Sequence, residues 1–304
     1  PTLVKKKATD IWGSDYVPTA DDVTRIINAT TAEKGDGKSG ANYYIDSKYY
    51  IKTLSKEDYK TLILPNKKTG DSLLERYYAY VQSIDGMTLL PRILGVYKLN
   101  NNQRVIVMIN LQSGKSADAI AYDLKGSIAK RKTLVSTGAT LKDNNLRGKR
   151  ILIQSCEDYV RIQKAISSDA SFLAANDLMD YSLYALIDTV KPANGLSIPV
   201  HVLSKGISPY DMSEEKTHHA TFGILDILQI FNTRKTVEAL YKGGLKANAD
   251  TSTVPPGVYK DRFIKFMKQH FISIYDLVFS SSDFCKEYKK KSACTNATPC
   301  EWGK

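Results

Sequence analysis

Three acids in this chain stand beside apolar, strand-forming residues: Asp123 in YDLKGS (122–127), Asp180 in MDYSL (179–183) and Asp226 in GILDIL (223–228). A carboxylate embedded in a hydrophobic run is costly to bury unless it holds a metal or takes part in proton transfer. A lysine, Lys52, lies in the strand-like run YYIKTL, and a glycine-rich stretch, GDGKSG at 35–40, precedes it. Acids, a strand lysine and a flexible glycine loop together describe a site for phosphoryl transfer.

Each residue has a chemical role and a plainer alternative. Lys52 points away from Ile51 and Thr53, where it could neutralise nucleotide phosphates or simply be a solvated lysine on a half-exposed strand. In GDGKSG, Gly37, Ser39 and Gly40 could bring backbone amides to ATP phosphates, although a surface loop rich in glycine gives the same pattern. Asp180, between a helix and a buried strand, could accept a hydroxyl proton during attack on ATP, or end a helix. Asp226 interrupts FGILDIL, where Mg2+ is the expected hard cation and a salt bridge is the competing explanation. Lys125 and Arg131 could converge on a substrate phosphate, the arginine bidentately. Glu57, Asp71 and Glu75 all compete as ion-pair partners of Lys52.

Composition sets the partner. The 304 residues carry a formal net charge of +11, which favours an anionic partner such as nucleic acid, a phospholipid surface or a phosphorylated substrate. No run of about 18 apolar residues is present, so no membrane span is expected. The start, PTLVKKKATD, lacks the apolar stretch of a signal peptide, and the missing initiator Met points to processing or trimming. Cys156 stands alone through most of the sequence, which favours a reducing compartment.

The positioning elements follow from local pattern. Thr19 is a helix N-cap with Asp21 and Asp22 in the first turn. ANYYI and YYIKTL form a hairpin about Asp46–Ser47–Lys48, and PRILGVYKL and RVIVMINL a second one about Asn100–Asn101–Asn102. A helix over about 71–84 lies between them. The polar stretch 112–118 is the expected hinge. Beyond it, 156–176 reads as a helix with Ile162, Ile166, Ala170 and Leu173 on one face, and YSLYALIDTV as a strand buried on both faces. Residues 229–257 lack a core pattern and should be mobile, and VYKDRFIKFMKQHFISIYDLVF reads as an amphipathic helix. The division expected is 1–111, 112–283 and a cysteine-containing tail, 284–304.

Over residues 12–272 the chain resembles the phosphatidylinositol phosphate kinases. The strings that carry the resemblance are KSGANYY, YYIKTL, MTLLPRILGVYKL, YDLKGS followed by KRK, LKDNNL, DASFLAANDLMDYSL, GILDILQ and VYKDRFIKFM. DLKGS and MDYSL in this order are specific to that family. The resemblance implies a two-lobed, kinase-like α+β fold with antiparallel sheets, flanking helices and an ATP cleft between the lobes. It implies ATP and Mg2+ as cofactors and a phosphoinositide in an anionic membrane surface as substrate. Lys52 would hold ATP phosphates, Asp180 would be the catalytic aspartate, and Asp226 would bind the metal. Lys125, Arg131 and Lys235 would engage the lipid head group.

Counted without gaps from Asp226, Glu238 falls where the 4-phosphate 5-kinases of that family carry glutamate and the 5-phosphate 4-kinases carry alanine. Together with DILQ this points to conversion of phosphatidylinositol 4-phosphate to the 4,5-bisphosphate, with Glu238 orienting Arg131. A plain i,i+4 pair between Glu238 and Lys242 is the other reading. Val237, Leu240, Tyr241 and Leu245, interleaved with Arg234, Lys235, Lys242 and Lys246, could fold as a helix on an anionic bilayer. The alternatives are a 5-phosphate 4-kinase or broad phosphoinositide kinase, and a catalytically silent protein that binds acidic membranes. Nucleic acid is not the expected partner, since it would leave the buried acids unexplained.

Some positions depart from the family pattern: DYSLY for DYSLL, GILD for GIID, and Thr236 where a second lysine is usual. The short stretch before Trp12 leaves little room for the family's dimer-forming structures, which is compatible with a monomer but leaves the oligomeric state open, and the expected place is the cytosolic face of membranes. No function is assigned to Cys285, Cys294 and Cys300.

Overall fold

The computed structural model describes residues 8–34, 41–66, 69–84, 88–191, 194, 197–204, 218–231, 254–273 and 276. Gly37, Ser39, Gly40, Lys235, Glu238 and the three tail cysteines lie outside the described residues.

The architecture is α+β, with two mainly antiparallel sheets and flanking helices. The first sheet contains β1 (Glu33–Lys34), β2 (Asn42–Ile45), β3 (Tyr49–Thr53), β4 (Ile93–Lys98) and β5 (Arg104–Ile109), in the order β1-β2-β3-β5-β4. Both expected hairpins form. Asp46 turns the first by accepting from the Lys48 amide at 2.8 Å, and Asn102 turns the second at φ 61°. Helix α1 (Ala20–Ala29) starts at Thr19, whose hydroxyl and Asp22 form a reciprocal capping box. Helix α2 (Lys56–Ile63) starts at Ser55, whose hydroxyl accepts from the Asp58 amide, and α3 (Leu73–Ser83) starts with a second capping box, between Ser72 and Glu75.

The second sheet contains β6 (Ile120–Leu124), β7 (Thr140–Lys142), β8 (Lys149–Ile153), β9 (Ser182–Asp188), β10 (Ser197–Ser204), β11 (His218–Leu225) and β12 (Phe271–Ser273). Its order is β12-β8-β10-β11-β9-β6-β7. Every residue of β9 is buried, with Leu183, Ala185 and Ile187 in the main core and Tyr184 and Leu186 in a second cluster on the other face. Helix α4 (Cys156–Ala175) buries Ile162, Ile166, Ala170 and Leu173 against the core. Burying aliphatic side chains of this size stabilises by about 1.5–3 kcal/mol each.

Two expectations are corrected. The helix read from 258 onward is α5 (Pro256–His270), and the chain then becomes extended as β12, parallel to β8. Phe271, Ile272 and Ser273 are all buried there, and pairing with β8 satisfies backbone groups that helix continuation would have to satisfy elsewhere. The stretch 112–118, the expected hinge, is a run of turns in which Ser116 donates its amide and hydroxyl to Asp188 at 2.7 and 2.6 Å. Cys156 is not alone, for it is disulfide-bonded.

The described start of the 229–257 stretch is also tied down. Gln229 accepts from the Met179 amide, and Phe231 donates its amide to Asp177.

Candidate active site

Strand register brings the motif residues together. β11 and β6 both run antiparallel to β9, which lies between them, with Leu225 opposite Ser182 and Leu124 opposite Leu183. The chain therefore leaves β11 at Asp226, leaves β6 at Lys125 and enters β9 from Asp180 at one end of the sheet. Asp180 and Asp226 both adopt left-handed backbone, at φ 62° and 59°. Aspartate tolerates this conformation better than most residues, but it remains uncommon outside glycine, and such residues cluster at functional sites.

Lys52 reaches across from the first sheet, and its Nζ donates to Asp226 Oδ1 at 2.8 Å. This settles its ion pair among the described residues. Glu57 lies in the first turn of α2, Glu75 caps α3 with Ser72, and Asp71 offers its carbonyl to Arg76. Desolvation in the cleft pushes the Asp226 carboxyl up, but the charge and hydrogen bond of Lys52, with a contribution from Lys125, hold it below the usual carboxylate range. Desolvation opposes the Lys52 ammonium too, and Asp226 and the Tyr43 ring raise its pKa overall.

Lys125 belongs to Asp180. Its Nζ donates to the Asp180 carbonyl at 2.6 Å and to the carboxylate at 2.9 Å. The loop that carries Lys125 is in turn held by Asp143, a residue that motif reading passed over inside LKDNNL. One Asp143 oxygen accepts the amides of Lys125, Gly126 and Ser127 at 2.9, 2.7 and 3.3 Å, and the other accepts Arg131 Nε at 2.7 Å. Arg131 also bonds Asp123 through Nη2, to both the carbonyl and the carboxylate. Its guanidinium is thus already oriented by two acids, whatever Glu238 contributes.

Gly126 is required twice over: its φ is +69°, and a Cβ there would come within 3.1 Å of Arg262 O and Phe263 Cα in α5. The same helix packs Tyr259 and Phe263 edge-on against Tyr181, beside Asp180, with ring centroids at 4.7 and 5.0 Å.

Between the sheets lies a cavity of about 260 Å³, lined by Tyr50 and Met108 from the first sheet and Tyr184, Phe222, Asp123 and Asp226 from the second. Its rear wall is residues 88–92. There Asp169, on α4 and fully buried, accepts Tyr80 Oη, Thr88 Oγ1 and the Leu89 amide at 2.8, 2.7 and 2.7 Å. Burial raises the Asp169 carboxyl to about 6, against the opposing pull of these donors. The carbonyl of Leu89 accepts the Ile224 amide, which ties the same wall to β11. Asp169 shares the buried stripe of Ile162, Ile166 and Leu173, and an acid on such a stripe is the signal that could have found it.

A family model described as phosphatidylinositol-4-phosphate 5-kinase matches residues 27–199 and 201–270. The chain belongs to the phosphatidylinositol phosphate kinase family. The kinase-like fold and the placement of DLKGS, MDYSL and GILD at one sheet end agree with that membership. Similar proteins include human phosphatidylinositol 5-phosphate 4-kinase type-2 alpha, 32% identical over 202 residues, which are 63% of this chain and 47% of the human protein. The mouse protein of that name is 28% identical over 317 residues, covering 87% and 76%. An Arabidopsis thaliana protein provisionally named a 1-phosphatidylinositol-3-phosphate 5-kinase is 25% identical over 266 residues, covering 81% and 16%. The chain thus spans about half the length of the human kinase it matches. Among the described residues no helix is long and apolar enough to cross a membrane.

Proposed function

We propose that this chain is a lipid kinase that moves the γ-phosphate of ATP to the 5-hydroxyl of phosphatidylinositol 4-phosphate. The observation that carries the reading is the pairing of Lys52 from the first sheet with Asp226 from the second, beside Lys125 paired with Asp180. An apolar slot with a few convergent charges suits a nucleotide. Lys52 and the cavity walls bind the nucleotide, and Asp180 takes the proton of the attacking hydroxyl as its oxygen bonds to the γ-phosphorus and the bond to ADP breaks. Lys125 and the Asp143-bound loop orient Asp180. Lys125 and Arg131 serve the head group from the same loop, with Lys235 and Glu238 expected to fix the ring position.

The residues present fit Mg2+. Asp226 has one oxygen on Lys52, and Asp123 Oδ1 is buried with no hydrogen-bond partner among the described residues. Both line the cavity as hard oxygen donors, and magnesium bound with nucleotide typically takes only one or two carboxylates. When bound, the ion offsets charge on the phosphates.

On this reading the lobes divide at about 111, the second runs to about 283, and the enzyme acts at the cytosolic face of a membrane. The Cys156 disulfide runs against a reducing cytosol, and thiol alkylation of the purified protein with and without reductant checks that location.

A second reading has support of its own: the mammalian relatives are named 5-phosphate 4-kinases. Product identification by mass spectrometry, with vesicles holding phosphatidylinositol 3-, 4- or 5-phosphate, decides between the readings. The 4,5-bisphosphate from the 4-phosphate alone is expected. The same product from the 5-phosphate alone would transfer the assignment to the 4-kinases. Asp180→Asn should abolish transfer while vesicle binding persists, and turnover at the wild-type rate would refute its role.

A further inference from the structure

Segment 124–142 has five basic residues, Lys125, Lys130, Arg131, Lys132 and Lys142, and no acid. Within it, Ile128, Leu134 and Val135 are 55, 89 and 80% exposed. Isolated exposed aliphatics are ordinary on protein surfaces. These belong to a loop that is fastened underneath. The 3-10 turn Asp143–Asn145 holds it: Asn144 donates its side chain to the Ile128 carbonyl and its amide to the Arg131 carbonyl, each at 2.8 Å. Asn145 exchanges two bonds with the Thr133 backbone, at 2.9 and 2.8 Å. Lys130 and Lys132, both exposed, precede the aliphatic pair.

We propose that Leu134 and Val135 form a membrane-inserting finger that docks the chain on an anionic phospholipid bilayer. The inference rests on the lipid-kinase reading for its purpose and on this loop for its substance. Aliphatic side chains without polar atoms partition below the head groups, while flanking lysines pair with lipid phosphates above them. Because Asp143 grips both Arg131 and the Lys125 loop, the anchoring turn also fixes the finger relative to Asp180. Docking would therefore present a head group to Lys125 in a set orientation.

The test compares wild type with L134S/V135S and with K130A/K132A on phosphatidylcholine vesicles with and without phosphatidylserine. Partitioning onto the mixed vesicles should weaken roughly a hundredfold or more for the aliphatic pair. Each lysine removed should cost about fivefold, an effect erased by salt. Leu134→Trp should gain fluorescence quenching by lipids brominated in the acyl chain, beyond the background of Trp12 and Trp302.

Turnover of L134S/V135S should match wild type on a water-soluble, short-chain phosphoinositide and fall on vesicles. Unchanged vesicle partitioning by L134S/V135S, or no added quenching of Leu134→Trp, overturns the finger. So does a variant that merely breaks a self-associated form of the chain while binding vesicles normally. Wild type inactive on both substrates would sink the kinase reading, and the partitioning and quenching measurements would still judge the finger.

Discussion

Two carboxylates tie the N-terminal elements to the C-terminal ones, by opposite physics. At the mouth of the cavity, Asp226 is 54% exposed and holds Lys52 through a single charged bond. At the rear wall, Asp169 is buried and accepts three donors from residues 80, 88 and 89. An exposed pair contributes little to stability, because water and salt screen it and can replace either partner. A buried acceptor holding several donors contributes more, because removing it leaves each donor unpaired in a dry interior. The mouth can therefore exchange partners, as the proposed phosphate-binding role requires, and the rear wall is built to stay put.

Substitution can break that contrast. The largest effect expected is on turnover: Asp226→Ala should slow phosphate transfer on the order of 10³-fold while changing unfolding free energy by less than about 1 kcal/mol. Steady-state kinetics with urea denaturation measures both, and a large stability loss would put Asp226 among the structural acids. Asp169→Ala should reverse the pattern and cost about 2–4 kcal/mol of stability, read from the same denaturation curves. Gly126→Ala extends the rigid class to the Lys125 loop, and is expected to cost about 2–3 kcal/mol through left-handed strain and contact with α5. Thermal melting that matches wild type would show that the loop yields instead.

The smallest effect expected is in pH dependence, and its sign separates the two acids. The Asp226 carboxyl lies below its ordinary value, so its contribution is present above about pH 4 and is lost as pH falls through the lowered pKa. The Lys52 contribution is present below about pH 10.4 and is lost as pH rises through its raised pKa. Asp169, raised to about 6, behaves inversely: its contribution declines as pH rises from about 4 to that value, then stays level. Melting curves of Asp226→Asn and Asp169→Asn across pH 3 to 8 should each lose the corresponding slope.

The sequence disclosed the residues of the site better than their partners. Hairpin turns, the Thr19 N-cap and the unbroken apolar run that buries both faces of β9 are local signals, and each formed as read. Asp123, Asp180 and Asp226 stood out because charge in an apolar run is costly, and Lys52 because it lies in a strand-like run behind a glycine-rich stretch. Pairing is a property of the sheet register, so spacing alone could not choose Asp226 for Lys52 over Glu57, Asp71 or Glu75. Asp143 was illegible for a different reason: its polar surroundings resemble any surface turn, and its burial arises only when the Lys125 loop folds over it. The change from helix to strand at Phe271 depends on β8, more than a hundred residues earlier.

The contact between Gly126 and α5 reaches beyond the site itself. Residues 256–270 form the floor on which the Lys125 loop rests, and Tyr259 from that floor also supports Tyr181. A fragment ending shortly after GILDIL would keep every charged residue of the cavity and still lose the shape that aligns them. A shortened chain that keeps the Lys125 loop in place has to retain α5 at least through Phe266.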